Sequence, residues 1–140
     1  MTVEITRSDD PTEARRLRWT VFVEEQGIPV EAEMDGTDPG CTHWVLREDG
    51  APVATLRTKV IDDSTLKIGR VATLAEARGR GHARRLMEAA LAEARAAGLA
   101  RGYLSAQEEV VGWYEAFGFV AEGGPYDDGG IPHRDMWADL

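Results

Sequence analysis

The stretch Leu66–Ala97, LKIGRVATLAEARGRGHARRLMEAALAEARAA, constrains this chain most. Leu66–Leu74 is rich in β-branched and apolar residues and reads as a strand. Ala75–Gly81 is a turn carrying two glycines and two arginines. From Gly81 to Ala97, Ala83, Leu86, Met87, Ala90, Leu91 and Ala94 recur at the spacing of one buried helical face. Arg84, Arg85, Glu88 and Arg95 take the other side, and Gly98 is a natural stop. A strand therefore feeds a Gly-Arg turn that opens a helix.

That junction calls for an anion. The first turn of a helix has unpartnered N–H groups and the positive end of the helix dipole. Gly79 and Gly81 let a ligand approach the backbone, and Arg78 and Arg80 add charge beside it. A phosphate or pyrophosphate is the expected ligand. A Walker A loop would need Gly-Lys-Ser/Thr, and no lysine is present. A dinucleotide fingerprint would need a third glycine, and Arg84 stands in its place.

The rest of the chain sets the strand count. Thr2–Thr6 alternates and reads as an opening strand. Ser8-Asp9-Asp10-Pro11 opens a helix that runs toward Glu25, with Ala14, Leu17, Val21 and Phe22 on one face. Gly27 and Pro29 end it, and Ile28–Cys41 reads as a turn-rich acidic loop. Thr42–Arg47 and Ala51–Ile61 flank the hairpin signal Glu48-Asp49-Gly50. With the Leu66 strand they predict an antiparallel meander. The helix Gly81–Ala97 then crosses over, right-handed, to a parallel strand at Arg101–Ala106. Val110–Phe117 is a short helix, Phe119–Ala121 a strand, Pro125–Pro132 a Gly/Asp-rich loop, and Arg134–Ala138 a last strand. The predicted class is α/β of the α+β kind: a mixed, mostly antiparallel sheet of six or seven strands with three or four helices. At 140 residues the expectation is one domain, 1–140.

Bulk properties narrow the function. The formal charge of −9 argues against nucleic acid as a partner, and no apolar run reaches a membrane span. The N-terminus lacks the apolar core of a signal peptide. The single cysteine, Cys41, excludes a disulfide framework and points to a reducing cytoplasm. The charge is also uneven. Glu24, Glu25, Glu31, Glu33, Asp35 and Asp38 fall together with no basic residue between them, whereas Arg70–Arg85 holds five arginines and one acid. This predicts one pole for an anionic cofactor and another for a cationic substrate.

Arg78-x-x-Gly81-x-Ala83 resembles the Arg/Gln-x-x-Gly-x-Gly/Ala signature of the GNAT superfamily of acyl-CoA-dependent N-acetyltransferases. Trp113-Tyr114-Glu115-Ala116-Phe117-Gly118-Phe119 is similar to that family's Tyr-x-x-x-Gly-Phe segment. The element order matches the family fold along essentially the whole chain. Phe22-x-x-Glu25-Gln26, the Asp35–Asp38 pair, Ala106-Gln107 and Gly130-Ile131-Pro132-His133 look like the ElaA-like group.

The resemblance implies a sheet splayed at its central strand and acetyl-CoA as acyl donor, with no metal. It places Arg78, Gly79, Arg80, Gly81, His82 and Ala83 around the coenzyme A pyrophosphate. Val71, Ala72 and Thr73 would hold the pantetheine arm, one N–H acting as an oxyanion donor, and Gln107 would bond the same arm. It implies Tyr114 as the general acid toward the leaving thiolate. His82, in the first helical turn, is expected at the surface or beside the phosphate. Family relatives also pair through edge strands, so a homodimer is an option.

The base must relieve an alkylammonium of its proton, a cost of about 4.6 kcal/mol at pH 7 for a pKa near 10.4. His133 is the leading candidate because imidazole titrates in the right range; Glu25, Glu33 and His43 are alternatives. Glu25, Gln26 and Glu33 are candidate acceptor-binding residues, and the acidic segment predicts a small cationic amine or a peptide amine. No Cys or Ser constellation for a covalent acyl-enzyme is visible. The expected function is an N-acetyltransferase working by direct attack. The alternatives are a non-catalytic acyl-CoA-binding or sensing module and a nucleotide-dependent oxidoreductase.

Overall fold

The computed structural model describes residues Met1–Leu140. Seven strands form one sheet in the order β1-β2-β3-β4-β5-β7-β6. The strands are β1 (Val3–Ser8), β2 (Thr42–Glu48), β3 (Ala51–Ile61), β4 (Thr65–Thr73), β5 (Arg101–Gln107), β6 (Val120–Asp128) and β7 (Ile131–Asp139). The helices are α1 (Thr12–Arg18), α2 (Val30–Glu33), α3 (His82–Ala96) and α4 (Val111–Glu115). Only β4 and β5 pair in parallel, the consequence of the α3 crossover; every other pair is antiparallel. This is the mixed, mostly antiparallel architecture expected from the sequence, with the upper strand count and four helices.

Alternation assigns the two faces of the sheet. Trp44, Leu46, Leu56, Ile68, Leu104 and Met136 pack with Leu86, Met87, Ala90 and Leu91 of α3 in one buried cluster. The opposite face carries Val45 against Ala14 and Leu17 of α1, and Ala72 against Val21 and Phe22. The apolar stripe of α3 is therefore buried, as its period requires.

Three segments depart from expectation. The first helix reaches Glu25, but from Trp19 it widens into π-helical turns. Gln26 N–H bonds to Val21 C=O, and Ile28 N–H reaches back to Phe22 C=O. The acidic stretch expected as loop contains the one-turn helix α2, started by Pro29. The loop expected at Pro125–Pro132 is instead strand: β6 runs to Asp128 and β7 starts at Ile131. Glycine and proline weakened the strand signal there, while β7 supplies the pairing that sequence could not show. The irregularity survives as a register shift between Glu122 and Tyr126.

Candidate active site

The site begins where β4 leaves β5. Their pairing ends at Ile68 opposite Leu104. On its other side β4 keeps β3, but Thr55 faces Ala72 while Arg57 faces Gly69, so β4 carries one extra residue. The bulge is at Arg70, with φ +53°, a left-handed conformation that costs a non-glycine residue energy and is typical of functional sites. Beyond the bulge the edge of Val71–Thr73 no longer faces β5, and a cleft of about 880 Å³ opens between the two strands. This is the splay at the central strand that the resemblance implied.

The Gly-Arg turn borders one end of the cleft. Gly79 and Gly81 have φ of +79° and +77°, and Gly81 caps α3 in the left-handed conformation. The first turn-closing bonds are Arg78 N–H to Ala75 C=O and Arg85 N–H to Gly81 C=O. Between them the N–H groups of Gly79, Arg80, Gly81, His82, Ala83 and Arg84 have no acceptor in the protein. Consecutive free amides at a helix start form an anion-binding concavity. A Cβ at Gly79 would meet nothing and one at Gly81 only the end of Arg85, so conformation rather than crowding selects glycine.

The side chains of this turn are less free than expected. Arg78 makes two 2.7 Å bonds to the Glu25 carboxylate and a 3.0 Å bond to Thr73 C=O. Arg80 pairs with Glu48. His82, expected at the surface or beside the phosphate, is buried in the first turn of α3. Its Nδ1 accepts from Arg85 and its Nε2–H donates to Glu48 at 2.6 Å. Glu48, at the end of β2, thus braces the turn from beneath, a role no local motif announces.

Tyr114 lies in the cleft wall. Edge-on contacts with Trp113 (4.9 Å) and Phe119 (6.5 Å) fix its ring, and Phe117 packs on Trp113 (5.0 Å). Its hydroxyl has no hydrogen-bond partner within the protein, and burial pushes its pKa above the ordinary phenol value. It therefore stays protonated and has a proton to give. His133 lines the same cleft from β7. Its Nδ1–H donates to Ile131 C=O at 2.8 Å, which leaves Nε2 with its lone pair. Gln107, opposite His133 in the β5–β7 register, donates to Gln26 Oε1 at 2.8 Å.

The acidic segment is the main correction. Four of its six carboxylates, Glu25, Glu33, Asp35 and Asp38, are paired with arginines rather than free. Buried Arg18 binds Glu33 and, through both terminal nitrogens, Asp38 at 2.8 and 3.0 Å. Arg15 and Arg57 add bonds of 2.9 and 2.8 Å to Asp38. Desolvation would raise the Asp38 pKa, but the bonds from Arg18, Arg15 and Arg57 outweigh it and hold the carboxyl far below its usual range. Arg70 reaches Asp35 at 3.1 Å.

Glu33 lines the cleft but is only 2% exposed; it bonds Arg18, and its Oε2 is buried without a partner in the protein. Glu25 is held by Arg78, which lowers its pKa. His43 is buried beneath Asp38, and desolvation holds its imidazole below its ordinary pKa. Cys41 is also buried, its Sγ 3.2 Å from Thr37 C=O. His133 is left as the one proposed base that faces the cleft with a free nitrogen.

The profile of the Acetyltransferase (GNAT) family matches residues 9–119. The chain belongs to the GNAT acetyltransferase family. It is similar to a UPF0039 protein of Mycobacterium tuberculosis, 38% identical over 130 residues and covering 89% of this chain and 81% of the relative. Among solved GNAT-like structures, an acyl-CoA N-acyltransferase from Pseudomonas aeruginosa superposes with a TM-score of 0.87 at 33% identity, covering 98% of this chain and 99% of that one. ElaA of Escherichia coli gives 0.84 at 27% identity, covering 98% and 99%. The GNAT match runs from just ahead of α1 through the Trp113–Phe119 segment, so both motifs read from the sequence lie inside it.

Proposed function

We propose that this GNAT protein is an N-acetyltransferase that moves an acetyl group from acetyl-CoA to a primary amine by direct attack. One observation carries the reading: six unpartnered amides at the mouth of α3 open onto a cleft whose wall holds an unbonded tyrosine hydroxyl. The residues fit the donor. The amides of Gly79–Arg84 suit a pyrophosphate, and the released edge of Val71–Thr73 suits the amide-bearing pantetheine arm.

Acetyl-CoA supplies a thioester whose carbonyl carbon is open to a neutral amine. The protein does the rest. Backbone N–H groups of Val71–Thr73 orient the arm, and one of them polarises the thioester carbonyl. His133 Nε2 takes a proton from the amine, directly or through one water, as nitrogen bonds to the acetyl carbon. Tyr114 gives its hydroxyl proton to the sulfur as the carbon–sulfur bond breaks. Its raised pKa keeps the hydroxyl protonated at neutral pH, and its position in the cleft wall, rather than its acidity, makes it available to the thiolate. The single buried cysteine accords with a cytoplasmic setting.

Tyr114→Phe tests this. General-acid catalysis is worth about 10²–10⁴-fold, so thiol release in an amine screen should fall by at least 10²-fold while coenzyme A affinity stays within about twofold. If no amine gives thiol release from the wild type, the non-catalytic acyl-CoA-binding module replaces this reading.

A further inference from the structure

The acceptor end of the cleft lies on the α1 face of the sheet, opposite α3, and its charge balance is the reverse of the one the sequence advertises. Three carboxylates, Glu33, Asp35 and Asp38, meet four guanidiniums, Arg15, Arg18, Arg57 and Arg70. One positive charge is in excess before any lysine is counted. The excess faces the cleft through Arg70. Its Nη2 is saturated by Ala32 C=O, Glu33 C=O and Asp35, each at 3.1 Å, while its Nη1 has no partner. Arg57 sits beside it, with Nη1 on Asp38 and Nη2 3.8 Å from Asp35, too far for a hydrogen bond.

Two more cations continue the same wall. Lys59 and Lys67 face each other directly across β3 and β4, on the face that bears Arg57. Neither has an acidic partner. Like charges directly opposed in a sheet destabilise it, and here they are kept beside a strained arginine. The opposite wall carries His133 and Asp128. The pyrophosphate amides are on the α3 side, so this second cationic surface is not needed for the donor.

We infer that the acceptor is a primary amine that also carries a carboxylate, an amino acid or a close analogue, with Arg70 and Arg57 holding the carboxylate and the amine directed toward His133. A planar guanidinium fork with a free nitrogen matches a carboxylate geometrically. The inference rests on the acetyltransferase reading and replaces the cationic acceptor expected from the acidic segment.

The test compares matched amines on the wild-type protein: phenylalanine against phenethylamine, lysine against cadaverine, with thiol release from acetyl-CoA as readout. The carboxylate-bearing partner should have at least tenfold higher kcat/KM. Arg70→Gln should shrink that ratio at least fivefold, and Arg70→Lys should restore part of it. Binding of the N-acetylated amino acid to the coenzyme A complex, followed calorimetrically, gives a readout independent of turnover, and Arg70→Gln should weaken it at least fivefold. Equal or reversed preference within the pairs overturns the inference and leaves the acetyltransferase reading standing. Arg70-dependent binding without turnover of any amine upholds the carboxylate site and removes the acetyltransferase reading. Neither turnover nor binding overturns both. Tighter use of phosphoethanolamine than of every amino acid overturns the carboxylate assignment.

Discussion

The Gly-Arg turn at 78–83 and the acidic segment at 24–38 are both charged stretches of about the same prominence in the sequence, yet they fold in opposite senses. In the turn, the proposed anion site sits in the backbone. Its six free amides follow from two glycines and a helix start, whatever the arginines do, and the arginines themselves are tied to Glu25 and Glu48. In the acidic segment, the side chains take their meaning from partners on α1, β3 and β4. A site made of local backbone can be read from spacing. A site made of charges must wait until the tertiary partners are known.

The largest effect should come from breaking the acidic segment's internal pairing. Arg18 is 1% exposed and joins Glu33 to Asp38. Removing one member of a buried ion cluster leaves uncompensated charge and costs about 3–5 kcal/mol. Arg18→Ala should lower the melting temperature by an amount on the order of 10–20 °C for a chain of this size. A change of only a few degrees would mean that the cluster is solvated, and the contrast between the two regions would disappear.

The same cluster should set the acid limit of stability. The Asp38 carboxyl is held below its ordinary value in the folded chain. A depressed carboxylate contributes stability that is complete above the unfolded pKa, near 3.9, and is lost as pH falls through the folded value. Chemical denaturation should therefore show full stability at pH 6 and progressive loss below about pH 4. Asp38→Asn should lower stability at pH 6 and flatten that dependence. An unchanged acid limb would assign it to other carboxylates.

The turn should respond more mildly in stability and more sharply in ligand affinity. Gly81→Val places a β-branched residue at φ +77°, which costs about 1–2 kcal/mol. Because the strain reorients the free amides, coenzyme A affinity should fall at least tenfold, measured by calorimetry. If Gly81→Val binds normally, the side chains rather than the backbone carry the anion, and the two regions work alike.

This contrast also explains what was legible. The strand–turn–helix at 66–97, the hairpin at Glu48–Gly50 and Tyr114 in its aromatic segment each rest on spacing within about 30 residues. Glu48 beneath the turn is 34 residues from His82, and Asp38 gathers partners from Arg15 to Arg57. No window of sequence holds these pairs together. The resemblance implied a splay in β4, but its placement at Arg70 was hidden, since arginine carries no signal for a positive φ. β6 was obscured for a different reason: Gly123-Gly124-Pro125 weakens intrinsic strand preference, and only pairing with β7 overrides it.

The smallest predicted effect concerns the contacts the acidic segment makes across the cleft, Glu25 with Arg78 of the turn and Gln26 with Gln107 at the end of β5. An exposed neutral hydrogen bond contributes near the low end of 0.5–1.5 kcal/mol, so breaking the glutamine bridge should change affinities by about threefold or less. Its sign is informative. Gln26→Ala removes only the bridge, whereas Gln107→Ala also removes the amide assigned to the pantetheine arm. If the bridge closes over the arm's path, Gln26→Ala should tighten coenzyme A slightly and Gln107→Ala should weaken it. If both variants weaken binding equally, Gln26 touches the ligand directly, and the acidic segment shares in the donor site with the turn, β4 and Gln107.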